Sequence, residues 1–264
     1  MTYYDDLTKD EKRVTIFKEA IKQNAHGLTY DLGTGSGILA GIASKYADKV
    51  YAYEINPLTI KHYTKANLQQ YNNITIIETD ASTHEFTEKP DVVICEMLDT
   101  ALIDEEQVPV TNNIQKYTKK DTIHIPHSTY DTIMIGQTNI TNITYQENNK
   151  PHFKEYSEET NYNETIFQEK NNTHIQKEIT LTSKKTGTIN TIKLTTYTRV
   201  TEQLITGPTP MLNPPLLIPT KEKKVKKGEK IKIKLQYIMG GGLNTIQTDI
   251  QWTIKIFKTI RKNY

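Results

Sequence analysis

Apolar runs of strand length alternate with helix-periodic segments in the first half of the chain. The strand-length runs are Leu28–Asp31, Val50–Glu54, Ile74–Glu78 and Val92–Cys95. Apolar residues recur at helical spacing in residues 8–24, Gly37–Tyr46, Pro57–Gln70 and Glu105–Thr118. Because parallel strands need long crossover connections, which are usually helices, this alternation predicts an α/β fold. We expect a doubly wound parallel sheet with helices on both faces.

The helix over residues 8–24 has a sequence pattern typical of a capped start. Thr8 is followed three residues later by Glu11, the spacing of a capping box. Phe17 and Ile21 then recur at helical spacing. The pattern predicts an N-terminal helix that Thr8 caps and that packs one face on the sheet.

After Pro126 the periodicity changes from helical to alternating. Thr, Ile and Lys alternate in Thr129–Ile135, His174–Thr182, Ile189–Val200, Lys230–Tyr237 and Ile246–Phe257. Such alternation is typical of antiparallel strands with one buried face. The sequence therefore predicts a first domain over residues 1–126 and a β-rich, barrel-like or sandwich domain over residues 127–264. Asn139–Asn172 is polar and poorly periodic, which predicts a long loop or a projecting arm.

Composition narrows the class of protein only moderately. The 264 residues include 33 basic and 31 acidic side chains, so the net charge of +2 creates no strong field for a nucleic acid. The single cysteine, Cys95, excludes an internal disulfide and fits a reducing compartment. No apolar run has membrane length, and the start does not resemble a targeting peptide. We expect a cytoplasmic protein without a membrane partner.

A glycine-rich turn follows the first predicted strand and carries the first candidate chemistry. It reads Asp31-Leu-Gly33-Thr-Gly35-Ser-Gly37, and Glu54 ends the next strand 23 residues after Asp31. That spacing places a carboxylate where ribose hydroxyls are held in nucleotide-binding α/β units. The acid before the first glycine suits a cationic ligand better than a pyrophosphate, which it would repel.

This turn resembles the first motif of class I S-adenosylmethionine (SAM)-dependent methyltransferases. The resemblance implies that SAM is the cofactor and that the turn and the acid at the end of the second strand bind it. It also implies that residues 1–126 form the methyltransferase domain. The implied cofactor-binding residues in this region are Asp31, Gly33, Gly35, Gly37 and Glu54.

Two glutamates after the fourth predicted strand form the second candidate feature. Glu96 lies at the carboxyl end of the strand, and Glu105 follows nine residues later. Carboxylates that share a pocket repel each other unless a cation lies between them, and a guanidinium binds carboxylates through paired hydrogen bonds. Glu96 and Glu105 are therefore the candidate catalytic residues. The structural alternative is a pair of solvated charges near helix starts.

In spacing and position, Glu96 and Glu105 resemble the double-glutamate loop of protein arginine methyltransferases. Lys9-Asp10-Glu11-Lys12-Arg13 is similar to the Lys-Asp-x-x-Arg motif of that family. The resemblance implies that Arg13 holds the SAM carboxylate and that Asp80 and Ala81 also line the cofactor. It further implies a homodimer and a role for residues 127–264 in substrate binding and dimerisation.

The chain also departs from that family. The Trp-Met-Gly that follows the first glutamate there is Met97-Leu98-Asp99 here, and Thr206–Pro210 stands near the place of the pocket-closing Thr-His-Trp loop. The chain resembles an archaeal-type group that includes predicted RNA methylases. Three functions therefore stay open: a protein N-methyltransferase, an RNA methyltransferase, or a catalytically silent SAM-binding subunit. Asp99, Asp104 and Glu106 are predicted to be solvated loop charges.

The remaining candidates have structural interpretations. In Lys230-Ile-Lys232-Ile-Lys234 all lysines share one strand face, which predicts a solvated face or a guarded edge, with a phosphate-contacting stripe as the alternative. Cys95 is expected to be a buried residue rather than a nucleophile. His124 and His127 flank the domain boundary as linker residues, with proton removal from a substrate as the alternative.

Overall fold

The N-terminal helix docks one apolar face on the rest of the molecule. The computed structural model describes residue 7 and residues 9–252, so the expected cap Thr8 lies outside the described residues. Helix α1 spans Glu11–Asn24, and the side chain of Asp10 caps it by accepting the backbone N–H of Arg13. Phe17 and Ile21 are fully buried, as their spacing predicts.

Five parallel strands form the sheet that positions the candidate site. They are β1 (Leu28–Leu32), β2 (Lys49–Glu54), β3 (Ile74–Glu78), β4 (Val92–Cys95) and β5 (Ile123–Ile125). Their order is β3-β2-β1-β4-β5, so the direction of winding reverses between β1 and β4. In doubly wound sheets ligands bind outside the carboxyl ends of the strands at this switch point. The α/β prediction is confirmed.

The helical connections are shorter than the periodicity predicts. The elements are α2 (Ile38–Ala43), α3 (Pro57–Thr59), a π-helical turn (Ile60–Thr64), α4 (Lys65–Leu68), a 3-10 turn (Thr100–Leu102), α5 (Gln107–Ile114) and a second 3-10 turn (Gln115–Tyr117). Helix α2 starts one residue after Gly37, whose φ of 87° is left-handed. A Cβ there would collide with Leu68, which packs directly against the turn.

The chain after Pro126 forms antiparallel sheets, as predicted. The strands are β6 (Ser128–Gln137), β7 (Thr144–Tyr145), β8 (Lys154–Glu155), β9 (Thr160–Ile166), β10 (His174–Thr182), β11 (Gly187–Arg199), β12 (Ile205–Thr206), β13 (Leu216–Val225), β14 (Lys230–Ile238) and β15 (Gln247–Trp252). One sheet has the order β7-β13-β11-β6-β8, with β9 and β12 pairing β6 and β11, and a second has the order β10-β14-β15. The part of the predicted strand Ile246–Phe257 beyond Trp252 lies outside the described residues.

Asn139–Asn172 is not a projecting arm, which corrects the prediction. The segment contains β7, β8 and β9, and β9 pairs with β6 along Thr160–Ile166. Its apolar alternation is hidden because the inward positions carry polar residues. Asn163 and Thr165 are buried, and the Asn163 amide donates to Asp131.

The lysine-bearing strand β14 is central rather than at an edge. It lies between β10 and β15, so the guarded-edge interpretation is wrong. Ile231 and Ile233 are buried, and Lys232 and Lys234 lie on the opposite face. Both lysines pair with Glu178 on β10. The solvated-face interpretation agrees with this arrangement.

A shared hydrophobic cluster joins the two halves of the chain. It includes Phe17 of α1, Ile94 of the parallel sheet, and Ile192 and Ile233 from the two antiparallel sheets. The carboxyl edge of the parallel sheet is therefore fixed relative to the loops of the second half. Within the described residues, the helices are too short or too polar to cross a bilayer.

Candidate active site

A cavity of about 360 Å³ lies at the carboxyl ends of β1, β2 and β4. Its volume falls within the range of about 300–1,000 Å³ typical of small-molecule sites. Seven of the predicted site residues line it: Arg13, Asp31, Gly33, Gly35, Glu54, Glu96 and Glu105. The location is the switch point of the sheet, where the topology predicts a ligand.

Glu54 is anchored to the glycine-rich turn through backbone hydrogen bonds. Its Oε2 accepts the N–H of Gly35 at 2.9 Å, and its Oε1 accepts the N–H of Asn56 at 2.9 Å. The carboxylate is therefore fixed at the cavity wall, and each oxygen keeps a lone pair for a further donor. Gly33 lies beside Met97, and a Cβ at this position, where φ is 72°, would approach the Met97 sulfur to 2.5 Å.

Asp31 is buried at the wall of the cavity, and no ion pair joins it to a cationic side chain within the part of the chain that the structure describes. Its carboxylate accepts the hydroxyl of Thr34 at 2.6 Å. Burial raises the pKa of Asp31 to about 7, and the charges of Glu96 and Glu54 act in the same direction. A cation bound in the cavity would favour the ionised form of this group.

Arg13 and Glu96 form a buried ion pair across the cavity floor. The guanidinium Nη2 donates to Oε2 of Glu96, and the two side chains are 6% and 8% exposed. Burial raises the pKa of Glu96, and the charge of Arg13 lowers it again. The resemblance assigns Arg13 to the cofactor and Glu96 to the acceptor, but the two side chains contact each other directly in this structure.

Glu105 lies at the exposed rim of the same cavity. Partial burial raises its pKa, and the negative charges of Asp104, Glu96 and Glu106 raise it further. Asp104 and Glu106 are exposed, in agreement with the prediction. The structure therefore brings Glu96 and Glu105 to one cavity, Glu96 at its floor and Glu105 at its mouth.

Asp99 is not a solvated loop charge, which corrects the prediction. It is 7% exposed, and its carboxylate accepts three backbone N–H groups of the loop that ends at Glu105. Gln107, which the sequence did not single out, bridges the other end of this loop. Its amide accepts the N–H of Met97 at 2.9 Å and donates to the carbonyl of Cys95 at 2.7 Å.

Three predicted cofactor residues do not line the cavity. Gly37 faces Leu68, as described above. The Asp80 carboxylate accepts both the backbone N–H and the hydroxyl of Ser82, which lowers its pKa. Ala81 is buried, and its carbonyl accepts the amide of Asn113.

The histidine and cysteine candidates do not line the cavity that holds Glu96 and Glu105. His124 and His127 line a different cavity, together with Gln168 and Thr201. Burial lowers the pKa of His124 to about 4. Cys95 is buried, and its burial raises the thiol pKa, as expected for an inert thiol. Within the described residues, no cluster of His, Cys, Asp or Glu side chains is arranged to hold a metal ion.

A loop of the second half contributes Met211 to the cavity wall. Met211 directly follows Thr206–Pro210, the segment that stands near the place of the pocket-closing loop. The Thr209 hydroxyl and the Met211 N–H both donate to Asp10, the cap of α1. Met211 lines the cavity beside Leu7. The cavity wall is thus completed by residues from both halves of the chain.

The free energy of unfolding is expected to decrease as the pH rises from 5 to 7. Burial raises the pKa of Asp31 and of Asp99 to about 7 and that of Asp131 to about 6. Aspartate in an unfolded chain has a pKa of about 3.9, so in this window the native state holds more protons, and stability falls as the pH rises. The lowered pKa of His124 has the opposite effect but concerns a single group.

Urea unfolding of the ligand-free protein at pH 5 and pH 7 measures this dependence. The expected decrease is at least about 1 kcal/mol, since one pKa unit corresponds to about 1.4 kcal/mol. Asp131→Asn removes a carboxyl group with a raised pKa that lies on β6, outside the cavity. This variant should show a smaller decrease in the free energy of unfolding between pH 5 and pH 7. Equal stability at the two pH values would contradict the assignment.

Two comparisons with known proteins match part of this chain, and one of them falls on the half that contains the parallel sheet. The family model described as "Ribosomal protein L11 methyltransferase (PrmA)" matches residues 14–126. Over 114 residues the chain is also 26% identical to protein arginine N-methyltransferase 6 of Danio rerio, covering 41% of this chain and 33% of that protein. Both matches fall on methyltransferases.

Two archaeal proteins are similar over almost their whole length. The chain is 44% identical over 254 residues to uncharacterized protein MJ1452 of Methanocaldococcus jannaschii, covering 94% of this chain and 96% of that protein. It is 39% identical over 251 residues to an uncharacterized protein of Methanothermobacter thermautotrophicus, covering 94% and 97%.

A solved structure shares the arrangement of both halves. It is the Trypanosoma brucei PRMT1 enzyme-prozyme heterotetrameric complex with AdoHcy, with a TM-score of 0.75 and 14% sequence identity. The similarity covers 94% of this chain and 96% of that chain. At this identity it shows a common fold, a parallel α/β sheet followed by antiparallel sheets.

Proposed function

We propose that this chain, which belongs to the same family as protein MJ1452 of Methanocaldococcus jannaschii, methylates a nitrogen of a cationic protein side chain. It is a SAM-dependent methyltransferase that resembles the protein arginine methyltransferases. The observation that carries the proposal is the joint position of Glu96 and Glu105 at one cavity of strongly acidic character.

The charge of the cavity favours a cationic acceptor over a nucleic acid. Six acidic residues line it, namely Asp31, Glu54, Glu96, Asp104, Glu105 and Glu106, and Arg13 is the single basic residue among the described lining residues. Such a site attracts a guanidinium or ammonium and repels phosphate. Two of the β14 lysines that would suit a phosphate, Lys232 and Lys234, pair instead with Glu178.

The charged side chains that line the cavity fit the groups of SAM. The cofactor carries an ammonium, a sulfonium, a ribose and a carboxylate. In the proposal Glu54 accepts the ribose hydroxyls, Asp31 faces the positive charges, and Arg13 holds the carboxylate. The buried Asp31, whose pKa is raised by burial, supports this placement, because a bound cation would stabilise its ionised form.

SAM, when bound, would supply a methyl group whose bond to the positively charged sulfur breaks as the bond to the acceptor nitrogen forms, which leaves a neutral thioether. Glu96, fixed at the cavity floor, orients the acceptor nitrogen, and such fixed geometry can contribute about 7–11 kcal/mol to catalysis. Glu105, at the exposed mouth, binds the same cation and passes the released proton to solvent. Met211 and Leu7 restrict water at the cavity wall.

Each half of the chain has its own role in the proposed reaction. Residues 1–126 bind the cofactor, and residues 127–264 bind the protein substrate and form the dimer contact. A homodimer and a cytoplasmic location, which the resemblance and the single cysteine imply, belong to the same proposal.

Methyl-labelled SAM tests the substrate class. The purified protein is incubated with the labelled cofactor and a cell lysate, and the products are then digested separately with protease and nuclease. We expect protease to release the label. Release by nuclease would instead identify an RNA methyltransferase, and no transfer despite calorimetric SAM binding would identify a catalytically silent subunit. Glu54→Ala, which lacks the proposed ribose ligand, is the control and should transfer no label.

A further inference from the structure

We infer that Asp99 is a positioning residue that fixes Glu105 at the mouth of the cavity, an inference that rests on the proposed function. The ten-residue segment from Glu96 to Glu105 joins the floor of the cavity to its rim. A carboxylate at the rim can hold a cation in a defined orientation only if the backbone that carries it is fixed.

The Asp99 carboxylate is surrounded by donors of its own loop. Its Oδ2 accepts the N–H of Ile103 at 3.1 Å and that of Asp104 at 2.9 Å, and its Oδ1 accepts the N–H of Glu105 at 3.2 Å. The Tyr145 hydroxyl donates to Oδ2 at 3.4 Å. Both oxygens of one buried side chain therefore hold three consecutive amides, the last of which belongs to Glu105.

The loop between the two glutamates has a backbone that needs such restraint. Ala101 and Leu102 have φ values of 60° and 56°, and both are fully buried. Left-handed conformations are costly for residues with a Cβ and persist where surrounding contacts enforce them. Asp99 supplies these contacts on the Glu105 side of the turn.

Contacts from the second half of the chain hold the middle of the loop. The Ala101 N–H donates to the Thr196 hydroxyl at 2.7 Å. The carbonyls of Leu102 and Ile103 accept the N–H groups of Gly240 and Gly242, each at 2.9 Å. These bonds fix the turn, and the bond from Asp99 to the Glu105 amide carries that order to the acidic rim.

The three convergent donors need an accepting oxygen at both positions of the side chain. An ionised carboxylate accepts at both oxygens, whereas the amide of asparagine offers one acceptor and one donor. Burial raises the pKa of Asp99 to about 7 against the lowering effect of these N–H groups. Asp99→Asn therefore keeps the size of the side chain and removes part of the hydrogen bonding.

The kinetic test compares wild type and Asp99→Asn with SAM and a synthetic glycine–arginine repeat peptide. We expect the KM for the peptide to rise by about 10- to 100-fold, because the charge-assisted hydrogen bond between the peptide cation and Glu105 is lost. The Kd for SAM, measured by calorimetry, should stay within about twofold, because Asp99 does not line the cavity. An unchanged peptide KM would overturn the inference.

Asp91→Asn is the matched control. The Asp91 carboxylate also accepts a backbone N–H, that of Leu28 at 2.8 Å, and pairs with Lys119 at 2.6 Å, but it lies at the amino end of the parallel sheet. Its loss should lower the unfolding temperature without changing the peptide KM. An equal rise of KM in both variants would mean that a general loss of stability causes the effect.

Hydrogen exchange tests the inference without relying on turnover. In the wild-type protein the amides of residues 103–105 should exchange slowly although they lie in a loop, and Asp99→Asn should exchange them at least about tenfold faster. Fast exchange in wild type would overturn the inference even if the variant does not fold. If the wild type binds SAM but transfers no methyl group to the peptide or to lysate protein, the proposed function fails, while the exchange result still decides the role of Asp99.

Discussion

Replacing Glu96 with glutamine is expected to reduce the kcat/KM for the glycine–arginine repeat peptide by about 100- to 1,000-fold, the usual cost of removing one preorganised electrostatic group from an active site. Glu96 is buried at the cavity floor, and its carboxylate forms an ion pair with the guanidinium of Arg13. Glutamine has nearly the same shape but presents no negative charge to an acceptor cation. Initial rates at several peptide concentrations measure the loss.

The matched comparison is the same change at the cavity mouth. Glu105 is exposed, so water screens its charge more than that of Glu96. Glu105→Gln should therefore reduce kcat/KM less than Glu96→Gln. The Kd for SAM should not rise in Glu96→Gln, because this variant retains Arg13, the proposed ligand of the SAM carboxylate. A Glu96→Gln protein with wild-type turnover would remove Glu96 from the proposed mechanism.

Replacing Arg13 with methionine is expected to affect both folding and cofactor binding. The change leaves Glu96 buried without its cation, and breaking a buried pair in this way typically costs about 3–5 kcal/mol. The Kd for SAM should also rise by about 10- to 100-fold, the equivalent of a lost charge-assisted hydrogen bond of about 1.5–3 kcal/mol. Denaturant unfolding and calorimetry measure the two effects separately.

The double variant Arg13→Met/Glu96→Gln separates the two roles of the guanidinium. It removes the buried negative charge as well, so we expect the double variant to be more stable than Arg13→Met. Cofactor affinity should remain low, because the proposed ligand of the SAM carboxylate is still absent. Wild-type SAM affinity in Arg13→Met would show that Arg13 serves only to neutralise Glu96.

The parallel half of the fold could be predicted because its determinants are local. The four predicted strands, β1 to β4, are short runs rich in apolar residues, and the glycine turn with Asp31 and Glu54 has a fixed spacing along the chain. The short β5 (Ile123–Ile125) was not among the predicted strands. The structure places both carboxylates at the same cavity. Apolar periodicity was sufficient here since parallel strands are buried on both faces.

Strand β9 shows why the second half was harder to predict. Its inward positions carry Asn163 and Thr165, whose polar side chains hide the alternation that marks a strand. They are stable in the interior because Asn163 bonds to both Thr165 and Asp131, a residue of another strand. A polar core position can be recognised only once its partner is known.

The sequence alone predicted the fold class and the candidacy of the glycine-rich turn and of Glu96 and Glu105, because these depend on residue type and short spacing. Only the tertiary structure decided how the charges are paired. It joined Arg13 to Glu96 across 83 positions and placed Asp99 beneath the Glu105 loop. Burial and hydrogen bonding between distant segments set the energy of a charge, and neither can be read from one segment of chain.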